Sequence, residues 1–501
     1  MDRFEVGTNL GELHEPVRRR LASLAEQDVV RRIWERDHTV WTEDQTEISD
    51  RLGWLEAVDR SREELPDLRA FVNEVRRDGL TRTILLGMGG SSLAPEVIRH
   101  AFYDGTTPTF DLSVLDTTHP DALARVETAA DRALFLVASK SGTTIETRSH
   151  MSYFLDRIGD GSRFAAITDP GTPLERDAAE HGFRRVFAAP RDVGGRYSAL
   201  TVFGLLSAAL CGVDPEMLLV EAAEATRACL PEAPIERNPG AVLGAILGEA
   251  ALAGRDKLTL WPSLEAAPLG AWIEQLVAES TGKRGRGILP VDDEPRVDRY
   301  GDDRLFLGIG ERPPHAPSVG LPFGRPAEIG ALFFILEMAT AVAGHVLGIH
   351  PFDQPDVQEA KERTARVLEE GAHAEEPTDG IDGLLGDVRP GDYVAIQAFV
   401  DPTPPAWERL QRLRERILRE TGAATTLGFG PRYLHSTGQL HKGGPATGHF
   451  VQVVDEPRED RKVPGRPYTF GELIAAQAAG DLAALRARGR PIVRARIEDL
   501  A

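Results

Sequence analysis

Two short stretches of this 501-residue chain carry residue types that can hold a phosphate. Residues 87–92 read Gly-Met-Gly-Gly-Ser-Ser, and residues 139–144 read Ser-Lys-Ser-Gly-Thr-Thr. In ILLGMGGSSLAPEVIRHAF an apolar run enters a glycine turn, meets two serines and leaves in a helical pattern. Glycine lets the backbone approach a ligand closely, and a new helix offers free N–H groups and the positive end of its dipole. The pattern is not the Walker sequence, and it fails as a dinucleotide fingerprint because Ser92 stands at the third glycine position. FLVASKSGTTIET repeats the arrangement with the hydroxyls of Ser139, Ser141, Thr143 and Thr144 and the charge of Lys140. Two plainer readings stay open. The first turn could be a tight strand-to-helix connection without a ligand, and the second could be capping hydroxyls, although capping explains one Ser or Thr more readily than four in six residues.

The surrounding pattern supplies a scaffold for such turns. Residues 1–75 are charged at helical spacing and read as a helical N-terminal segment. Short apolar runs then alternate with longer helical stretches: RTILLG from Arg82, FDLSVLD from Phe110, ALFLVAS from Ala133, FAAITD from Phe164 and RRVFAA from Arg184. That alternation predicts an α/β fold with a doubly wound parallel sheet, whose strand ends place both turns at one crevice. A helix from Ala199 to about Leu230 closes this first unit, 76–232. A second unit of similar design, 233–368, opens near Pro239 and contains KLTLWP from Lys257, a helix through Glu279 and RLFLGIG from Arg304. An acidic stretch broken by Gly and Pro, 369–392, reads as a linker. The remaining part, 393–501, is a C-terminal α/β region with YVAIQAFV from Tyr393, a helix from about Pro405 to Thr421, TTLGFG from Thr425, GHFVQVVD from Gly448 and an alanine-rich closing helix.

Composition narrows the partners. With 58 Lys plus Arg against 78 Asp plus Glu, the net charge of −20 argues against nucleic acid and requires that any anion be held by local donors. The two cysteines, Cys211 and Cys229, lie in apolar helical surroundings and suggest neither a metal site nor a disulfide framework. The N-terminus lacks the apolar core of a secretory signal, so a cytoplasmic protein is expected. The apolar run Gly330–Ile349 contains Glu337 and His345 and predicts a buried helix, with no membrane association.

Taken together, GMGGSS and SKSGTT resemble the sugar-phosphate-binding (SIS) domain, and three further stretches narrow the resemblance to the glucose-6-phosphate isomerase family. VGGRYSAL from Val193, QLVAESTGKRG from Gln275 and HPFDQPDVQEAK from His350 resemble the family's VGGRYS, MESNGK and FDQ-GVELGK segments, in the family's order. The resemblance covers roughly residues 75–365 and is nearest to the isomerase half of bacterial transaldolase fusions, whose C-terminal part has a run similar to GPRYLHSTGQLHKGGP. The transaldolase half is missing, and its activity is not carried over.

The resemblance implies two SIS-type domains and aldose–ketose isomerisation of glucose 6-phosphate and fructose 6-phosphate through a cis-enediol, without cofactor or metal. It implies phosphate binding by Ser91, Ser139, Ser141 and Thr144, with Lys140 and the Gly90 backbone nearby, and a site closed by Gln354. Glu279 is the implied base, Arg196 the cation that stabilises the enediolate, and Lys361 an aid to ring opening. On the residues alone, the favoured reading of Glu279 is a surface carboxylate paired with Lys283 at i+4, and that of Lys361 is part of a solvated face.

The chain departs from the family at Pro355 and Asp356, and it has no family-type histidine run between Glu279 and Phe352. We match that run instead to LHSTGQLHKGG, taking His435 as the ring-opening histidine, with His441 as the alternative and Lys442 a more distant one. The rival functions are an isomerase of another sugar phosphate, such as mannose 6-phosphate, and a sugar-phosphate sensor without turnover. A small-molecule sugar phosphate is the expected partner, and the family leaves room for a homodimer.

Overall fold

The computed structural model describes residues 3–103, 111–355, 363–364, 366–368 and 380–500. It is an α/β structure built on three sheets. The first contains β2 (Arg82–Gly87), β3 (Asp111–Leu115), β4 (Ala133–Ala138), β5 (Phe164–Thr168) and β6 (Arg185–Ala188) in the order β3-β2-β4-β5-β6, all parallel. Its central strands are apolar segments buried on both faces, as a parallel sheet covered by helices requires.

The second sheet follows the order β1-β10-β9-β7-β8, with β7 (Lys257–Pro262), β8 (Leu289–Val291), β9 (Arg304–Ile309) and β10 (Ser318–Leu321) parallel. Its edge strand β1 (Gly7–Asn9) comes from the N-terminus and pairs antiparallel with β10. The segment 1–75 is therefore not helical throughout. The third sheet, β12-β11-β13-β14, is parallel and consists of β11 (Tyr393–Phe399), β12 (Ala424–Phe429), β13 (Gly448–Val454) and β14 (Ile492–Arg496). The alanine-rich helix Phe470–Ala487 thus precedes a last strand rather than closing the chain.

Two other expectations are corrected. The single helix expected from Ala199 to Leu230 is two, Val202–Leu210 and Pro215–Ala228. Gly212 takes φ +86°, the Asp214 side chain accepts from Glu216 N–H, and Pro215 opens the new helix, so the chain stops and restarts there. Within the expected linker 369–392, residues 369–379 lie outside the described ones. Ile381–Gly386 is a helix whose Leu384 and Leu385 are buried against β11 and β13 residues.

The long apolar helix is Ile329–Leu347. By length and composition Pro326–Leu347 could cross a membrane, yet 94% of its apolar window is buried inside the protein. It packs on the helix Pro239–Leu252, where Gly240, Gly244 and Gly248 leave no room for a Cβ beside Met338, Val342 and Val346. Burial alone pushes the Glu337 carboxyl on this helix well above the usual carboxylate range.

Candidate active site

In the first sheet Gly87 stands opposite Ala138, so β2 and β4 deliver their following turns to the same edge. The chain leaves β2 through Gly89, at φ +55°, into a single turn Gly89–Ser91 and then the helix Leu93–Ala101. Side chains are excluded here by close neighbours. A Cβ on Gly90 would overlap the Gly195 carbonyl, and one on Gly89 would crowd the His435 carbonyl and the Gln275 amide. Ser91 is buried in the floor of this turn.

After β4, Ser139 and Thr144 face each other with hydroxyl oxygens 3.0 Å apart, and Ser141 and Thr143 form a second pair at 2.9 Å. The helix Ile145–Ile158 begins at once. Lys140 turns away from these hydroxyls. Its ammonium donates to Asp169 at 2.8 Å and to the carbonyls of Pro190 and Arg191 at 2.8 and 3.3 Å, tying neighbouring loops together.

Arg196 lies in the turn Gly195–Tyr197 and is 4% exposed. Its guanidinium donates to Ser280 Oγ (2.8 Å), Glu279 Oε1 (3.1 Å), and the carbonyls of Pro351 (2.7 Å) and Asp353 (3.0 Å). Glu279 sits near the end of the helix Leu269–Thr281, buried, with its other oxygen accepting from Gln275 Nε2 at 3.1 Å. Its ion pair is with Arg196. The i+4 residue Lys283 donates instead to Asp353 Oδ1 (2.5 Å) and to the His350 and Asp353 carbonyls (2.7 and 2.5 Å). Burial, with Arg196 nearby, lowers the Lys283 ammonium to about 7. Arg196 and Lys283 together pin the segment that presents Gln354, which is exposed beside them. Lys361 and Asp356 lie outside the described residues.

The C-terminal histidine loop lies directly on this cluster. The Gln275 Nε2 that holds Glu279 also donates to the His435 carbonyl at 2.8 Å. The short helix Gly438–Gly443 abuts the end of the glutamate helix, with Gln439 donating to the Gly282 carbonyl at 3.0 Å. His435 Nε2 is 3.0 Å from Glu146 Oε1. That carboxylate is itself buried and accepts from Gln477 Nε2 at 2.7 Å. The three units therefore meet at Gly89–Ser91, Glu279 and His435.

His441 has a different environment. Its ring is enclosed by Tyr393, Tyr433 and Phe450, and Nδ1 is 3.0 Å from the Tyr393 hydroxyl. Burial, with Lys442 and Arg490 adding to it, pushes the imidazole down to about 3. Lys442 is buried in an ion pair with Asp481 at 2.5 Å. Because the His441 pKa is lower in the folded state than the ordinary 6.5, the unfolded chain binds more protons between pH 6.5 and about 3. Its contribution to stability is present above pH 6.5 and lost on acidification through that window. Urea unfolding of His441→Gln should accordingly show a smaller loss of midpoint between about pH 7 and about pH 4.5 than the parent; an equal loss contradicts this environment.

Two residues of the cluster were not singled out by sequence reasoning: Glu146, which orients His435, and Gln275, which joins Glu279 to the histidine loop. The i, i+4 spacing of Gln275 and Glu279 on one helix was the available signal for the second. Glu146 follows the hydroxyl turn by two residues, but its partner lies 289 residues away in sequence. Among the described residues, His119, Asp121 and Asp401 bring ligand atoms within 4.8 Å of one another. His119 is engaged by Asp455 at 3.0 Å and Asp401 by Arg125 at 2.6 Å, so this trio serves as a tether between the first and third units.

Comparison with known proteins bears on this geometry. A family model described as phosphoglucose isomerase matches residues 57–287, a span that includes both hydroxyl turns, Arg196 and Glu279. The glucose-6-phosphate isomerase of Rubrobacter xylanophilus is 28% identical over 401 residues, covering 63% of this chain and 89% of its own length. That of Symbiobacterium thermophilum is 29% identical over 391 residues, covering 63% and 86%. Among solved structures, a hypothetical protein from Thermus thermophilus aligns with TM-score 0.62 and 24% identity over 73% of this chain and 99% of that one. A glucose-6-phosphate isomerase from Chlamydia trachomatis aligns with TM-score 0.54 and 21% identity over 72% of this chain and 80% of that one. Both share the fold of this chain.

Proposed function

We propose, on the match of residues 57–287 to the phosphoglucose isomerase model and the likeness to glucose-6-phosphate isomerases, that the chain interconverts glucose 6-phosphate and fructose 6-phosphate, with Glu279 as the proton carrier. The observation that carries this reading is the Glu279 carboxylate fixed by Arg196 at 3.1 Å and by Gln275 at 3.1 Å, beside two hydroxyl turns at one sheet edge. The turns hold the phosphate: Ser91, Ser139, Ser141 and Thr144 donate hydroxyl hydrogens, and the Gly90 backbone comes close.

With the phosphate held, the opened sugar presents C1 and C2 to the carboxylate. Glu279 takes the proton from C2 of the aldose, and the electrons move to O1, giving an enediolate. Arg196 stabilises that charge without itself losing a proton. The enediolate takes up a proton at O1 and gives up the one on O2, and the protonated Glu279 returns its proton to C1, which leaves the hydroxyl at C1 and the carbonyl at C2. The sequence is redox-neutral within the substrate, so acid–base groups and fixed charge suffice.

Cyclic sugar must open first. We assign the proton exchange with the ring oxygen to His435, which Glu146 holds, and Lys361 is given the same step by family position alone. Replacing His435 by alanine should lower turnover of cyclic fructose 6-phosphate more than turnover of an open-chain substrate analogue. Equal losses on the two substrates contradict a ring-opening role. The function itself is tested by forming glucose 6-phosphate from fructose 6-phosphate in a coupled dehydrogenase assay, with mannose 6-phosphate assayed in parallel. Absence of product from fructose 6-phosphate, or a preference for mannose 6-phosphate, contradicts the proposal.

A further inference from the structure

Away from the residues just described, a cavity of about 360 Å³ lies where the three units meet. That volume is in the range of small-molecule sites, roughly 300–1,000 Å³. The first unit contributes Glu96 and Asp116, the second Glu274 and Asp292, and the third Gln397 and Trp407. None of Ser91, Ser139, Arg196, Glu279 or His435 lines it.

Its chemistry is distinct from that of a phosphate site. Five carboxyl groups line it, those four and Asp293, against two guanidiniums, Arg414 and Arg432. Both guanidiniums are already engaged. Arg432 pairs with Glu96 and with Asp116, while Arg414 donates to the Asp292, Asp293 and Thr425 carbonyls at 2.7, 2.9 and 2.6 Å. Burial, with Asp293 beside it, raises the Asp292 carboxyl to about 7, and burial with Asp292 beside it raises Glu274 well above the usual range. Desolvation outweighs the attraction of the nearby guanidiniums at both groups, so an added cation would be welcome there.

Two further observations point to what fills the space. Gln397 is 1% exposed and lines the cavity, yet neither its amide oxygen nor its amide nitrogen meets a hydrogen-bond partner among the described residues. A buried amide left so costs about 1–3 kcal/mol, and a ligand with a hydroxyl or amide group would recover it. At the cavity rim Trp407 is 42% exposed, one of the few large apolar side chains on the surface. An indole at the mouth of an acidic cavity suits an organic cation, which the ring face attracts.

We propose that this cavity binds a small hydroxylated organic amine, its ammonium paired with the Glu274 and Asp292 carboxyl groups, which give up their protons to solvent as it enters, and its hydroxyl with the Gln397 amide. Such a ligand would join the helix that carries Glu279, through Glu274, to β11 of the third unit, through Gln397. The site is separate from sugar isomerisation and is read without any sugar present.

The test is calorimetric titration of the full chain with ethanolamine and 1,3-diamino-2-propanol, with ethylene glycol, glycolate and Mg²⁺ as controls. The amines should bind saturably and raise the unfolding temperature, and the controls should do neither. Trp407→Ala changes an exposed side chain and should weaken amine binding about two- to fivefold, the loss of a cation–π contact at an exposed ring, while leaving fructose 6-phosphate turnover unchanged. Gln397→Leu should weaken binding by a similar factor without loss of thermal stability. Amine binding no better than that of ethylene glycol, a response to Mg²⁺ alone, or affinity that survives both substitutions would overturn the proposal.

Discussion

Glu279→Gln is expected to lower kcat for fructose 6-phosphate by about 10²–10⁴-fold, the contribution of a positioned general base, with KM little changed. The substitution is nearly isosteric. Its amide oxygen can still accept from Arg196, and the Gln275 amide, which makes the other contact, can turn to meet the new donor at the expense of its bond to the His435 carbonyl. The helix Leu269–Thr281 is held by buried apolar residues, including Trp272, Ile273 and Leu276, which the change does not touch. Folding should therefore survive while the proton carrier is lost. Steady-state kinetics alongside a thermal melt check this, and undiminished kcat in a folded variant contradicts the role given to Glu279.

The second large effect is expected at Arg196→Lys, which keeps the charge and removes the fork. Four acceptors surround the guanidinium at 2.7–3.1 Å: Ser280, Glu279, and the Pro351 and Asp353 carbonyls. An ammonium has three donors on a compact centre and cannot span that set. Loss of a fixed donor aimed at developing charge costs about 10²–10³-fold in kcat. The carbonyls left without a partner should also cost stability, about 1–3 kcal/mol for a buried acceptor. A fall in stability with kcat unchanged would reduce Arg196 to an anchor for residues 351–353.

Much of the scaffold was legible because parallel strands buried on both faces leave continuous apolar runs. RTILLG, ALFLVA, FAAIT and YVAIQAF became β2, β4, β5 and β11 within a residue or two. The strands that sequence reasoning missed are short: β1 and β8 have three residues, β10 four and β14 five. Their pairing is decided by what lies beside them rather than by local pattern, and β1 joins a strand at Ser318–Leu321, far along the chain. The two hydroxyl turns were legible from spacing and the sheet rule. Lys140 illustrates the opposite case: its place in the motif suggested a phosphate contact, but Asp169 and two carbonyls from the adjacent loops claim it. Whether His435 or His441 faced the cluster could not be read from LHSTGQLHKGG, because the difference is tertiary. One meets Glu146 and the Gln275 amide, and the other is enclosed by aromatic rings.

The fate of the C2 hydrogen tests the central claim most directly. With glucose 6-phosphate deuterated at C2, conversion followed by NMR should be slowed by a primary isotope effect. Part of the label should appear at C1 of fructose 6-phosphate and the rest in solvent, because one carboxylate carries the proton and can exchange it on the way. Both transfers should vanish together in Glu279→Gln. Complete retention of label at C1 with no solvent exchange, undiminished in Glu279→Gln, would mean direct hydride migration and contradict the account.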